Sequence, residues 1–130
     1  MITEDFVSFE TAKLLKEKGF DGKCRARYGT AGSFSYEKYE IEASDCETLN
    51  AILAPTLQMA VKWLEKVHNL HCVVDYDFVL GWYCQITSLK ETVEYDYLEM
   101  KHYHPGKDNG FSSSEEAYET AIKYCLEILI

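Results

Sequence analysis

The chain has 130 residues, the size of one domain and enough to bury a core without disulfide or metal staples. Apolar residues make up 47% and charged residues 27%, which excludes global disorder. Twenty-two acidic against 13 basic side chains give a formal charge of -9, a surface that repels phosphate backbones and anionic membranes. Five cysteines, at 24, 46, 72, 84 and 125, form no CxxC. The opening Met1-Ile2-Thr3-Glu4-Asp5 has no basic or apolar leader, so a cytoplasmic chain with free thiols is expected. Cys72, Cys84 and Cys125 lie in apolar stretches, where a thiol acts as a small hydrophobe. No Gly/Ser linker or internal repeat interrupts residues 1–130, which read as a single α+β domain.

A first helix is expected over about 9–18, capped by Ser8, with Phe9, Ala12 and Leu15 at helical spacing. Gly19 supplies a left-handed stop and Phe20 its apolar contact. Cys24, Ala26 and Tyr28 alternate with Arg25 and Arg27, a strand with one wet face. Gly29 to Gly32 reads as a turn, and Phe34-Ser35-Tyr36 as the start of a returning strand. Ser44 and Glu47 have capping-box spacing, which places a short helix over 45–53.

A helix over about 55–68 follows, with Pro55 at its first position and Leu57, Ala60, Val61, Leu64 and Val67 as its stripe. Asn69 suits a left-handed cap. Strands are expected over 70–78, 81–89 and about 92–101, and the short turns between them make an antiparallel meander. A loop over 102–110 leads to a last helix, about 114–129, opened by the pair Ser113 and Glu116. Its stripe is Ala117, Ala121, Tyr124, Cys125 and Ile128, widened by Ile122 and Leu129. The fold class is therefore α+β, an antiparallel sheet of three or more strands packed against helices 55–68 and 114–129.

Three blocks are distinctive: Val7 to Phe20, Ala54 to Leu64, and Glu115 to Leu126. Together they resemble a group of small uncharacterised proteins of Bacteroides-type gut bacteria and their phages. The resemblance covers about half the chain, and it implies a bacterial or phage cytoplasmic setting and no particular site.

Several groups of residues could carry chemistry. His102 and His104, with His71, His68 and Cys72, are the weak candidates for a metal site, at a spacing that matches no zinc signature. Cys72 adjoins His71, yet strand alternation sends neighbours to opposite faces, so no catalytic residue is assigned. Gly29 to Gly32 is not a phosphate loop, and no cofactor is expected. Lys23, Arg25 and Arg27 form a small basic spot of the kind that makes local ion pairs. Asp75/Asp77 and Glu94/Asp96 each share a strand face, the usual solvated side of a half-buried sheet.

The most suggestive pattern interleaves aromatics with acids, in 35–40, 75–78 and 94–99. It places a candidate binding surface on Tyr76, Tyr83, Tyr95, Tyr97, Asp75, Asp77, Glu94 and Asp96. Alternation alone fits equally well with Tyr rings turned to the core. The reading is a non-enzymatic protein-binding or modulator protein, partnered by another protein or by a second copy through an edge strand. Direct nucleic-acid and membrane partners are not expected. One alternative is an acidic mimic that occupies a nucleic-acid-binding protein; a second is a small metal-dependent enzyme built on the histidines.

Overall fold

The computed structural model describes residues 5–78, 81–90 and 110–130, together with the backbone of 93–95. It is α+β, and it divides into two compact units, Met1–Trp63 and Leu64–Ile130.

In the first unit, α1 (Phe9–Glu17) begins where the Ser8 hydroxyl accepts the Thr11 amide at 3.2 Å. It ends in a Schellman turn. Phe20 N–H donates to Leu15 O at 2.9 Å, Gly19 N–H donates to Lys16 O at 3.1 Å, and Gly19 takes φ 86°. Strands β1 (Cys24–Gly29), β2 (Phe34–Ile41) and β3 (Ala51–Leu53) form an antiparallel sheet in the order β2-β1-β3. Cys24 and Ala26 are buried while Arg25 is exposed, as the alternation requires.

The short helix expected over 45–53 is displaced. Helix α2 runs Ala43–Leu49, and the Asp45 carboxylate, not Glu47, accepts the amide of Glu42 at 2.8 Å. Asn50 then adopts φ 53°, ψ 53°, which no α-helix continues through, and residues 51–53 pair with β1 as β3. Backbone bonds from Val7 N–H to Pro55 O (3.0 Å) and from Leu57 N–H to Asp5 O (2.9 Å) tie the N-terminal segment beside this chain.

Helix α3 (Leu57–His68) starts two residues later than expected. The Thr56 hydroxyl caps it through the Met59 amide at 3.1 Å, so Pro55 lies just outside it. Val67, expected on the apolar stripe, is 54% exposed.

The second unit carries β4 (Leu70–Asp77), β5 (Gly81–Ser88) and β6 (Val93–Tyr95) as an antiparallel meander; the remainder of the strand expected over 92–101 lies outside the described residues. Asn69 has φ 56°, the left-handed cap read from the sequence. Replacing Asn69 by alanine is expected to cost about 1 kcal/mol in a urea titration, and by glycine a few tenths at most, because only the β-carbon opposes that backbone angle.

Helix α4 (Ser114–Tyr124) packs on β4 and β5. Ser113 caps it through the Glu116 amide at 3.1 Å, and the Glu116 carboxylate turns to the Ser112 amide at 3.0 Å instead of closing a reciprocal box with Ser113. The α-helix does not run to 129. Residues Cys125–Leu129 form a π-helical turn, closed by the Ile130 N–H donating to Cys125 O five residues back. The wider turn rotates the stripe, so that Leu126 is 1% exposed and Ile128, expected inward, is 57% exposed.

Candidate protein-binding surface

Of the residues proposed from sequence as one binding surface, those described on β4 and β5 divide between the two faces of the sheet. On β4, Asp75 pairs with Tyr83 and Asp77 with Gly81, on the sheet face turned away from α4. Tyr76 pairs with Trp82 on the opposite face, their rings 5.2 Å apart. The cause is strand alternation, which cannot place residues 75, 76 and 77 on one side. Asp75 is exposed and accepts the Tyr76 amide at 2.8 Å, while Tyr83 is half-buried. In register, Glu94 pairs with Thr87 and Tyr95 with Ile86. Tyr97, Asp96, His102 and His104 lie outside the described residues.

His71 Nδ1 lies 3.5 Å from the Glu65 carboxylate, and among the described residues no group of three or more His, Cys, Asp and Glu side chains could hold a metal ion. No described helix is long and apolar enough to cross a membrane.

A contiguous aromatic surface stands instead in the first unit, on β2 and the segments flanking it. Five rings touch in series: Phe9–Tyr28 at 5.5 Å, Tyr28–Phe34 at 5.4 Å, Phe34–Phe6 at 5.1 Å, and Phe34–Tyr36 at 5.0 Å between centroids. Each contact is tilted or edge-on, the geometry that aromatic quadrupoles favour.

The backbone fixes each ring. Phe6 pairs with Thr56 in an isolated bridge, and the Tyr28 hydroxyl donates to Val7 O at 2.6 Å. The β1–β2 turn closes with Gly32 N–H donating to Gly29 O at 2.9 Å, and Gly32 has φ 90°. A β-carbon on Gly32 would meet the Phe9 ring at 3.1 Å, so the turn lies directly against that ring.

Phe34 and Tyr36 of this series reach solvent, and so does Tyr39 further along β2, outside the series. Phe34 is 38% exposed, Tyr36 68% and Tyr39 72%, and β2 recovers full burial only at Ile41. The strand has no aliphatic run to draw it inward; its side chains are aromatic, charged or hydroxylated until Ile41. In this strand, then, the aromatic rings of the interleaved pattern face water.

Charge around the surface is arranged by the former basic spot. Arg27 forms an ion pair with Glu37, Arg25 donates to Lys38 O at 2.9 Å, and Lys23 lies 3.6 Å from Glu42. The Lys13 ammonium sits 4.7 Å from the Phe9 ring centre and Lys38 sits 5.8 Å from that of Tyr39. Cations therefore flank the rings of a protein whose net charge is -9.

Among the described residues β2 pairs only with β1, yet its outer edge suits strand addition poorly. Ala26 pairs with Tyr36 and Cys24 with Ile41, so residues 37–40 bulge opposite Arg25 alone. A bulge and an edge lysine both interrupt a ladder.

Four of the five thiols are held above the ordinary thiol value in the closed structure. Burial pushes Cys24 and Cys84 up to about 12, and raises Cys46 as well. The contact with Cys72, followed by burial, raises Cys125 further. A cleft of about 290 Å³ lies between the C-terminal end of α1 and α2–β3, lined by Lys16, Phe20, Cys46, Glu47, Ile52 and Leu53 among others. It is at the small end of ligand sites, and burial raises its one thiol. No family model, curated protein or solved structure matches the chain.

Proposed function

We propose that the protein is a non-enzymatic protein-binding module that docks an acidic, apolar segment of a partner protein along β2, on the exposed rings of Phe34, Tyr36 and Tyr39. The observation that supports this most is the five-ring series ending in exposed Tyr36. Apolar surface held rigid yet open to water is the mark of an interaction site, and Tyr offers large contact area at low entropy cost. Lys13 and Lys38 set the chemistry of the partner: carboxylates that meet these cations, beside an apolar side chain that covers the rings. The bulge at 37–40 makes side-chain docking the mode rather than strand addition. The raised thiols support a role outside nucleophilic catalysis. The resemblance to bacterial and phage proteins suggests a modulator working in such a cell.

A photo-crosslinking residue placed at Tyr36 or Tyr39, in cells that make the protein, tests the idea. One discrete adduct is expected, absent when the same group is placed at exposed Lys62, and its crosslinked peptide is expected to carry Asp or Glu beside an apolar residue. Tyr36→Ala is expected to weaken retention of that partner by about tenfold or more, with the fold kept and only a small fall in unfolding midpoint from the lost ring contacts. Adducts that are the same from positions 36, 39 and 62 would sink the reading.

A further inference from the structure

The second unit holds three thiols that the binding surface does not use. Cys72 in β4, Cys84 in β5 and Cys125 at the head of the π turn are 4%, 0% and 0% exposed. Cys72 pairs with Ile86 and Cys84 with Val74, so both project from the sheet face that α4 covers. The Cys72 and Cys125 sulfurs share an S–H···S contact of 3.7 Å, across 53 residues of chain. That is van der Waals distance for two sulfurs, and a short approach separates it from a covalent bond.

We propose that Cys72 and Cys125 are a reversible disulfide site, closed by a low-molecular-weight disulfide of the glutathione type. In the first step one protein thiolate attacks a sulfur of the small disulfide. The reagent's S–S bond breaks, one reagent thiolate leaves, and a mixed disulfide remains. The second protein thiol gives up its proton and attacks the mixed disulfide at the protein sulfur. The Cys72–Cys125 bond forms and the second reagent thiolate departs. Two protein thiols are oxidised, one small disulfide is reduced to two thiols, and the two protons end on those thiols.

Shielding controls the rate. Neither sulfur meets solvent in the closed structure, so attack waits for the helix end to open. The π turn is the place for this, because its i→i+5 pattern already departs from the α-helical ladder; its closing bond runs from Ile130 N–H to Cys125 O at 3.1 Å. Once closed, the bond ties β4 to the end of α4, two elements far apart in sequence.

Treating the full chain with rising glutathione disulfide at pH 8, then mapping unreduced peptides by mass, tests this directly. One Cys72–Cys125 crosslink is expected, with a rate that levels off at high reagent because opening becomes limiting. The unfolding midpoint is expected to rise by about 10 °C and to fall back with dithiothreitol. Cys84→Ala is expected to keep the crosslink and Cys125→Ala to lose it. A Cys84-containing crosslink, mixed disulfides alone, or native thiols that stay untouched while the denatured chain reacts would each overturn the proposal.

Discussion

Replacing Ile122 by alanine is expected to destabilise the second unit by about 2–5 kcal/mol, the largest effect of any single substitution considered. Ile122 is fully buried on α4, which packs on β4 and β5. Three of its buried neighbours on the helix are small, Ala117, Ala121 and Cys125, and one, Leu126, is large. Small residues let helix and sheet approach closely, and leave the bulk of the filling to a few side chains, Ile86, Ile122 and Leu126 among them. Leu126, the large residue four positions on, is itself 1% exposed and already packed, so it is not free to fill the space that Ile122 leaves. Ile128→Ala is the control. Ile128 lies a turn and a half further on and is 57% exposed, so its truncation is expected to cost less than about 0.5 kcal/mol. Hydrogen exchange of the β4 and β5 amides reads the effect within this unit. Equal losses in the two variants would mean that Ile122 has no special place in the packing.

The contrast between Ile122 and Ile128 also marks where sequence reading stops. Periodicity of 3.6 residues finds α4 and its Ser113 cap, and finds α1 with its Gly19 stop, because those signals are local and each residue has one backbone role. The same periodicity carried past Tyr124 puts Ile128 inside. It does not register the π turn, in which Cys125 and Leu126 are buried and Ile128 is exposed. Residues 43–53 fail for a related reason. Asn50 in a left-handed conformation divides a helix from a strand there, and the strand exists because β1 offers it an edge, a long-range fact.

The candidate surface was half legible. The interleaving of aromatics and acids in 35–40 is visible in the chain, and so is the alternation on β4 and β5 that separates Tyr76 from Asp75 and Asp77. What the chain does not display is the contribution of Phe6 and Phe9. Phe6 reaches the β2 rings and Phe9 reaches Tyr28 of β1 from a segment that Val7 and Asp5 bond to the backbone around residues 55–57. Of the three interleaved segments, 35–40 differs in having no aliphatic side chain before Ile41, whereas β4 begins with Leu70, Cys72, Val73 and Val74. A strand with aliphatic residues buries one face first and its tyrosines follow the pleat. A strand without them has less to gain from burial and leaves its rings at the surface.

Alkaline pH is expected to weaken each unit through its buried thiols. Cys24 in the first unit and Cys84 in the second are both pushed from 9.0 to about 12, chiefly by burial. A folded-state value above the unfolded one means that the folded chain keeps a proton which the unfolded chain releases. The stabilising contribution is therefore complete below about pH 9, and it is lost as pH rises from there toward 12. By pH 10 the loss is about 1 kcal/mol for each of these thiols. Cys46 and Cys125, whose values are also raised, add in the same direction. Urea titrations under reducing conditions at steps from pH 7 to 10.5 measure the slope. Cys84→Ala removes one such thiol, so the free energy of the second unit is expected to fall less steeply above pH 9, by up to about 1.4 kcal/mol per pH unit. The comparison of slopes, not of absolute stabilities, separates ionisation from the small cavity that alanine leaves. Parallel slopes in the variant and the parent would show that Cys84 ionises freely in the folded state, and would remove the support the thiols lend to a non-catalytic reading.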